Sequence, residues 1–180
     1  MVRDYRDADA EEWLRCRLLS FFDTDYYDDV LVERPTLESP CVSLVADVDG
    51  SVVGLIDVEV DGAGATIDCI AVHPDHRRTG LGTSLLQAAL ARLPADVATL
   101  DAWTREDAGT NAWYRAQGFT EQHRYLHVHK EWDDPSDGFT APAGLSAPVR
   151  AFSHAPIEME ADLRARYRRV YVCRQYVLTL

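Results

Sequence analysis

The chain has 180 residues, 47% of them hydrophobic, which sets the expectation of one domain with enough apolar material for a real core. Its net charge is −12, from 30 acidic against 18 basic residues, a balance that speaks against a nucleic-acid partner, which needs a basic face. No apolar run is long enough to span a membrane, and Met1-Val2-Arg3-Asp4-Tyr5 lacks the apolar stretch of a secretion signal, so a cytoplasmic protein without a membrane partner is expected.

Along the chain, Val2 to Tyr5 reads as a short first strand. Asp9-Ala10-Glu11-Glu12 is a capping-box-like start, and Leu14, Leu18, Phe21 and Phe22 then recur at helical spacing, so a first helix runs to about Phe22. A second, shorter helix is expected over Asp28 to Arg34, with Pro35 and Pro40 marking a loop. Cys41 to Ala46 and Ser51 to Val60 are β-rich runs around Asp49-Gly50, a strong hairpin signal. Asp61-Gly62-Ala63-Gly64 turns the chain into a strand over Thr66 to Val72. A helix burying Leu85, Leu86, Ala89, Leu90 and Leu93 follows, then a fifth strand from Ala98 to Trp103. A helix from about Ala108 to Gln117 ends at Gly118, a left-handed cap, and Phe119 to Trp132 is a long sixth strand. Asp133 to Ala155, rich in Pro, Gly, Ser and Asp, reads as a long loop of the kind that is functional or mobile. Ile157 to Arg169 looks helical, its acids (Glu158, Glu160, Asp162) first and its arginines last, and Val170 to Leu180 alternates like a strand. There is no internal repeat.

Among the bases only Lys130 is a lysine. Many aspartates with few lysines favour a protein built for a salt-rich cytoplasm, where screening removes self-repulsion; an ordinary acidic protein from a GC-rich genome is the other reading. Cys16, Cys41, Cys69 and Cys173 are scattered without a Cys-x-x-Cys pair, which fits reduced thiols.

The most informative stretch is Ile67 to Leu86: apolar strand, basic glycine-rich turn, amphipathic helix. Inside it, Arg77-Arg78-Thr79-Gly80-Leu81-Gly82 fits the pattern Gln/Arg-x-x-Gly-x-Gly/Ala. Chemically this is a pyrophosphate cradle, because glycines let the backbone approach phosphate oxygens and the first turn of a helix offers unpaired N–H groups. A Walker loop would need a lysine here, and Lys130 lies far away; a dinucleotide fingerprint would need a third glycine.

With its lead-in Ile70-Ala71-Val72-His73-Pro74, this segment resembles the acetyl-CoA signature of the GNAT N-acetyltransferases. Trp113-Tyr114-Arg115-Ala116-Gln117-Gly118-Phe119 resembles the family's Phe-Tyr-x-x-x-Gly-Phe segment. The resemblance covers roughly residues 1–132; residues 133–180, the long loop with an extra helix and last strand, fit it loosely. It implies a single α/β domain over 1–180: a mixed, mostly antiparallel sheet of about seven strands flanked by helices on both sides. It also implies acetyl-CoA as co-substrate, no metal, and direct transfer to a primary amine of a small-molecule or peptide acceptor. The added C-terminal helix and strand leave room for a homodimer.

Acetyl transfer to an amine needs a held cofactor, a polarised carbonyl, a neutral amine and a protonated leaving thiolate. Holding falls to Arg77, Arg78, Thr79, Gly80, Leu81, Gly82 and Thr83, with the two threonine hydroxyls either capping the helix or touching a phosphate. By resemblance, backbone N–H groups around Ile70, Ala71 and Val72 polarise the carbonyl, and the pantetheine arm pairs with that strand where it splays from the next one. Resemblance assigns Tyr114 the thiolate proton, since a phenol of pKa near 10 is of comparable basicity; the alternative is that its ring only packs beside Trp113. Many relatives carry Glu near the start of the fourth strand where this chain has Thr66, so Asp68 is the candidate base, with Asp57 and Glu59 behind it. The family's pantetheine-binding Asn falls at Asp107, with Asn111 four residues later.

The run Asp23-Thr24-Asp25-Tyr26-Tyr27-Asp28-Asp29, on the acceptor side by resemblance, suits a cationic amine or is a solvated acidic surface. His123, His127 and His129 share a strand face with Tyr125, and no carboxylate or cysteine completes a metal set. A non-catalytic acyl-CoA-binding sensor or subunit of the same fold, and a transferase for longer acyl chains, are the rival readings.

Overall fold

Alternating burial along short apolar runs builds one eight-stranded sheet. The computed structural model describes residues 1–180. In chain order the elements are β1 (Val2–Asp4), α1 (Ala10–Phe21), β2 (Cys41–Val48), β3 (Ser51–Asp61), β4 (Gly64–Val72), α2 (Leu81–Leu90), β5 (Thr99–Thr104), α3 (Ala108–Ala116), β6 (Thr120–Lys130), β7 (Ala151–Ala155), α4 (Glu160–Arg166) and β8 (Arg169–Thr179). The strands lie in the order β1-β2-β3-β4-β5-β8-β6-β7. Every neighbouring pair is antiparallel except β4–β5. The β2–β3 hairpin turns at Asp49 and Gly50, whose φ angles of 51° and 86° are the double left-handed pair of a tight hairpin turn.

Helices cover both faces. On one, α1 lays Trp13 and Cys16 on Val45, Leu55, Cys69 and Ala71. On the other, α2 buries Leu85, Leu86 and Ala89 against Leu44, Ile56, Val58 and Leu100, joined by Tyr114 of α3 and Tyr176 of β8. Farther along that second face, Leu163 of α4 and Tyr167 just after it cover Leu126, Val128, Val170 and Val172.

Three expectations are corrected. Asp28 to Arg34 forms turns and irregular chain, not a helix. Val30 and Val32 are exposed and only Leu31 packs against the core, too little apolar surface to hold a helix, and the Arg34 side chain folds inward to Asp57 and over the Tyr5 and Trp13 rings. The sheet has eight strands rather than about seven, because the end of the expected loop, Ala151–Ala155, pairs with β6 as β7. The last helix is shorter than 157–169: a 3-10 turn at Ile157–Met159 leads into α4, and Tyr167 is already extended at φ −122°.

Candidate active site

The one parallel pairing sets up the site. β4 and β5 run in register from Gly64↔Thr99 to Ile67↔Ala102 and then part. Where they part, the β3–β4 register slips between Asp57↔Cys69 and Val58↔Ile67, so Asp68 is an extra, unpaired residue on β4. A bulge bends its strand, which carries the rest of β4 away from β5. His73 N–H donates to Val53 O at 2.9 Å. By alternation Ala71 and Cys69 also face β3, while Ile70 and Val72 turn their N–H and C=O groups into the gap. A cleft of about 750 Å³ passes through this gap. It is walled on the α1 face by Arg17, Phe21 and Tyr26 and on the other by the start of α2 and by α3.

At the head of α2 the chain turns through Arg78 (φ 61°) and Gly80 (φ 87°). No N–H group of residues 78–83 donates to an acceptor within the chain, a row of donors at a helix start. Gly80 is needed for its backbone angle, since nothing lies within 4 Å of where a Cβ would be. A Cβ at Gly82 would sit 3.7 Å from the Trp113 ring, an ordinary contact. Leu81, Gly82 and Thr83 line the cleft with Gly80, and Thr83 Oγ1 accepts from Trp113 Nε1 at 3.3 Å.

The two arginines of the motif differ. Arg77 is engaged by the chain itself: its guanidinium donates to both Asp23 carboxylate oxygens at 3.1 Å and to Ser20 O at 2.6 Å. That contact holds the Asp23 carboxyl below the usual range. Arg78 is exposed, forms no ion pair and lines the cleft. Thr79 donates its hydroxyl to His76 O at 2.6 Å and serves the turn rather than the cleft.

Tyr114 has a buried ring, stacked on Tyr176 at 5.4 Å and edge-on to Phe119 and Trp113. Its hydroxyl has no protein partner and is not among the enclosed polar atoms, so it opens on the cleft that the residue lines. Burial raises its pKa, which keeps the phenol protonated. Asp68 also lines the cleft, on the α1 side. Its carboxyl is raised by desolvation against the cleft wall and by the Asp57 and Glu59 carboxylates. Asp57 itself is buried and fixed by Arg34 and the Ser43 hydroxyl, so of the three acids considered it is structural.

The sheet does not bring Asn111 to the cleft. It is buried, donates from Nδ2 to Arg105 O and Asp107 O at 2.7 Å each, and accepts from Tyr176 OH at 2.8 Å. Asp107 lines the cleft, but its carboxylate caps α3 by accepting from Thr110 N–H at 2.6 Å. The sequence patterns point to Tyr26, within the acidic run, but not to Arg17, Trp103 or Arg105. Arg17 is buried and donates to Asp29; Arg105 donates to Asp25 O and to His127 Nδ1, pinning the 23–29 loop to the sheet. A buried arginine inside an otherwise ordinary helix, or just past the end of a strand, leaves no local pattern to find. His127 and His129 are pushed down to about 3 and about 4 by burial and nearby guanidiniums, and no set of metal-ligating side chains gathers around them. Cys16, Cys69 and Cys173 are buried thiols and Cys41 is exposed. No helix is long and apolar enough to cross a membrane.

A sequence profile described as the Acetyltransferase (GNAT) family matches residues 3–119. A curated acetyltransferase of Sodalis glossinidius (strain morsitans) is 35% identical over 98 residues, 52% of this chain and 67% of that one. The ribosomal-protein-S18-alanine N-acetyltransferase of Escherichia coli superposes with a TM-score of 0.62 at 16% identity, covering 99% of this chain and 92% of that one. The PaiA N-acetyltransferase of Thermoplasma acidophilum, solved in complex with coenzyme A, gives a TM-score of 0.57 at 12% identity, over 68% of this chain and 90% of that one. At those identities the two structures speak to the fold.

Proposed function

Since the chain belongs to the acetyltransferase (GNAT) family, we propose that it transfers an acetyl group from acetyl-CoA directly to a primary amine of a small-molecule or peptide acceptor. One observation carries the reading: the row of unpartnered N–H groups from Arg78 to Thr83 stands at the head of α2, beside the gap between β4 and β5. Donors in that arrangement fit a pyrophosphate, and the edge that Ile70 and Val72 turn into the gap, where the Val72 carbonyl accepts from Arg77 Nε at 3.4 Å, fits an extended arm bearing amides. The residues present therefore suit coenzyme A.

Acetyl-CoA, when bound, supplies an activated thioester carbonyl. The chain's own residues divide the remaining work by side of the sheet. Residues 78–83 and the Arg78 guanidinium hold the phosphates on the α2 side. The Ile70 and Val72 N–H groups point into the gap, where they can stabilise charge on a carbonyl oxygen. Tyr114 Oη, kept protonated by burial and free of internal partners, is placed to donate to the leaving sulfur. Asp68, on the α1 side, is placed to take the proton that makes the amine nucleophilic, directly or through water. Its elevated pKa makes it a stronger base than an ordinary carboxylate.

Calorimetric titration with acetyl-CoA, followed by a thiol-release assay over a panel of amines, tests the reading. Saturable one-to-one binding with turnover of an amine is expected. Binding without turnover on any amine or acyl length would establish instead the non-catalytic sensor, and no binding by the folded protein would refute both.

A further inference from the structure

The acceptor side of the gap has a chemistry of its own. Asp68 and Trp103 are the first residues past the last β4–β5 pair, one on each arm. The registers β5–β8 (Trp103↔Gln175), β6–β8 (Tyr125↔Cys173) and β6–β7 (His127↔His154) put Trp103, Tyr125, His127 and His154 on one face, the face α1 covers only as far as β4. These rings touch in series. Trp103 meets Tyr125 edge-on at 5.4 Å and His123 at 6.1 Å, and Tyr125 meets His154 at 4.6 Å. The wall is open in its outer part: Trp103 is 38% exposed, His123 and His154 are exposed and only His127 is buried, and a separate cavity of about 850 Å³ lies along His123, Tyr125 and His154. It is also continuous with the proposed active site, because Trp103 lines the same cleft as Asp68. Aromatic surface left uncovered beside a reactive cleft is what an aromatic ligand would cover.

We propose that the acceptor is an amine carried two carbons from an aromatic ring, with its nitrogen at the Asp68 carboxylate and its ring against Trp103 and Tyr125. This rests on the acetyltransferase reading above. Paired strands lie about 4.8 Å apart and the two arms only begin to part at Asp68 and Trp103, so that spacing is the least distance a linker must cover between a nitrogen on one arm and a ring on the other, and two carbons is the shortest chain that does so. A two-carbon linker is shared by arylethylamines and by the first residue of a peptide that begins with Phe, Tyr or Trp. The wall recognises the ring in either setting.

The test measures kcat/KM, with saturating acetyl-CoA, for two matched pairs: 2-phenylethylamine against 2-cyclohexylethylamine, and Phe-Gly-Gly against cyclohexylalanyl-Gly-Gly. A preference for the aromatic member of roughly tenfold is expected in at least one pair, the upper end of what one aromatic contact contributes. The pair that shows it tells a free amine from a peptide terminus. In Trp103→Leu the preference should fall towards unity. His123→Leu, a fully surface change, should lower it by a smaller factor. Equal kcat/KM within both pairs, a preference untouched by Trp103→Leu, or no turnover of any of the four by a protein that binds acetyl-CoA would each overturn the proposal. Failure to bind acetyl-CoA would overturn the reading on which it rests.

Discussion

Placing a carboxylate at residue 80 separates a phosphate cradle from an ordinary helix start. Gly80 sits at φ 87° with open space around the position of a Cβ. Gly80→Ala therefore adds backbone strain alone, about 1 kcal/mol, or a melting temperature lower by about 3 °C in a chain of this size. Gly80→Asp carries similar strain and adds a negative charge. Phosphates held by the N–H groups of residues 78–83 would lie on the order of 4–8 Å from it. At an effective dielectric near 20, unit charges so placed repel by about 2–4 kcal/mol, roughly a thirty- to thousandfold rise in Kd. Titration calorimetry with acetyl-CoA at about 0.1 M salt, alongside thermal melts, reads both quantities, and the charge effect should shrink as salt rises. The expected pattern is similar melting for the two variants, binding within a few-fold of wild type for Gly80→Ala, and binding lost for Gly80→Asp. Equal affinity of Gly80→Asp and the wild type would refute the cradle, since no phosphate could then approach this turn.

Three further outcomes follow from the site. Tyr114→Phe removes a hydroxyl without internal partners, so it should leave stability and acetyl-CoA affinity intact while lowering kcat at least tenfold; an unchanged kcat removes Tyr114 from the mechanism. Asp68 must be ionised to act as a base, so kcat/KM should rise with pH through a pKa above the 3.8 of a free Asp, and Asp68→Asn should flatten that limb. Because folding raises this pKa, the ionised carboxylate is destabilising. Asp68→Asn should therefore raise the melting temperature slightly above the folded-state pKa, with no gain below the unfolded one, and an unchanged pH profile would exclude the role. Asn111→Ala deletes three hydrogen bonds, two of them buried, and should cost about 3 kcal/mol, about 8 °C in melting temperature, with acetyl-CoA affinity unchanged below the transition; a selective loss of affinity would return Asn111 to the site.

The parts of the fold legible in the sequence are those with a local cause. Asp49-Gly50 fixes a hairpin by backbone sterics, Gly118 (φ 90°) stops α3, and the apolar spacing of Leu85, Leu86 and Ala89 defines the buried stripe of α2. The misreadings have a distant cause. Val30, Leu31 and Val32 look helical beside their charged neighbours, but whether such a segment folds depends on what it can be laid against, and Arg34 finds a better partner across the sheet in Asp57. β7 is a strand because β6 offers it an edge, and nothing within Ala151–Ala155 announces that.

The site divides along the same line. Gly80 and the donor row after it are readable because a helix start and a left-handed residue are local objects. Arg77 matches the motif as well as Arg78 does and lines the same cleft, yet the structure gives it to Asp23, fifty-four residues earlier, and leaves the Arg78 guanidinium without an internal partner. The catalytic geometry is less local still. Asp68 stands at the gap because the β3–β4 register slips by one residue beside it, and Trp103 stands opposite because β5 leaves β4 one pair earlier. A one-residue register shift is invisible in composition or periodicity, since both alternations look sound on either side of it. On the proposed reading the bulge does two things at once: it opens the sheet where the pantetheine arm would lie and puts a carboxylate where the amine would sit. Moving the acid within β4 without moving the bulge, as in Asp68→Asn with Thr66→Glu, should therefore fail to restore the acidic limb lost with Asp68. Restoration would show that the opening of the sheet alone matters, and that any carboxylate on that strand serves.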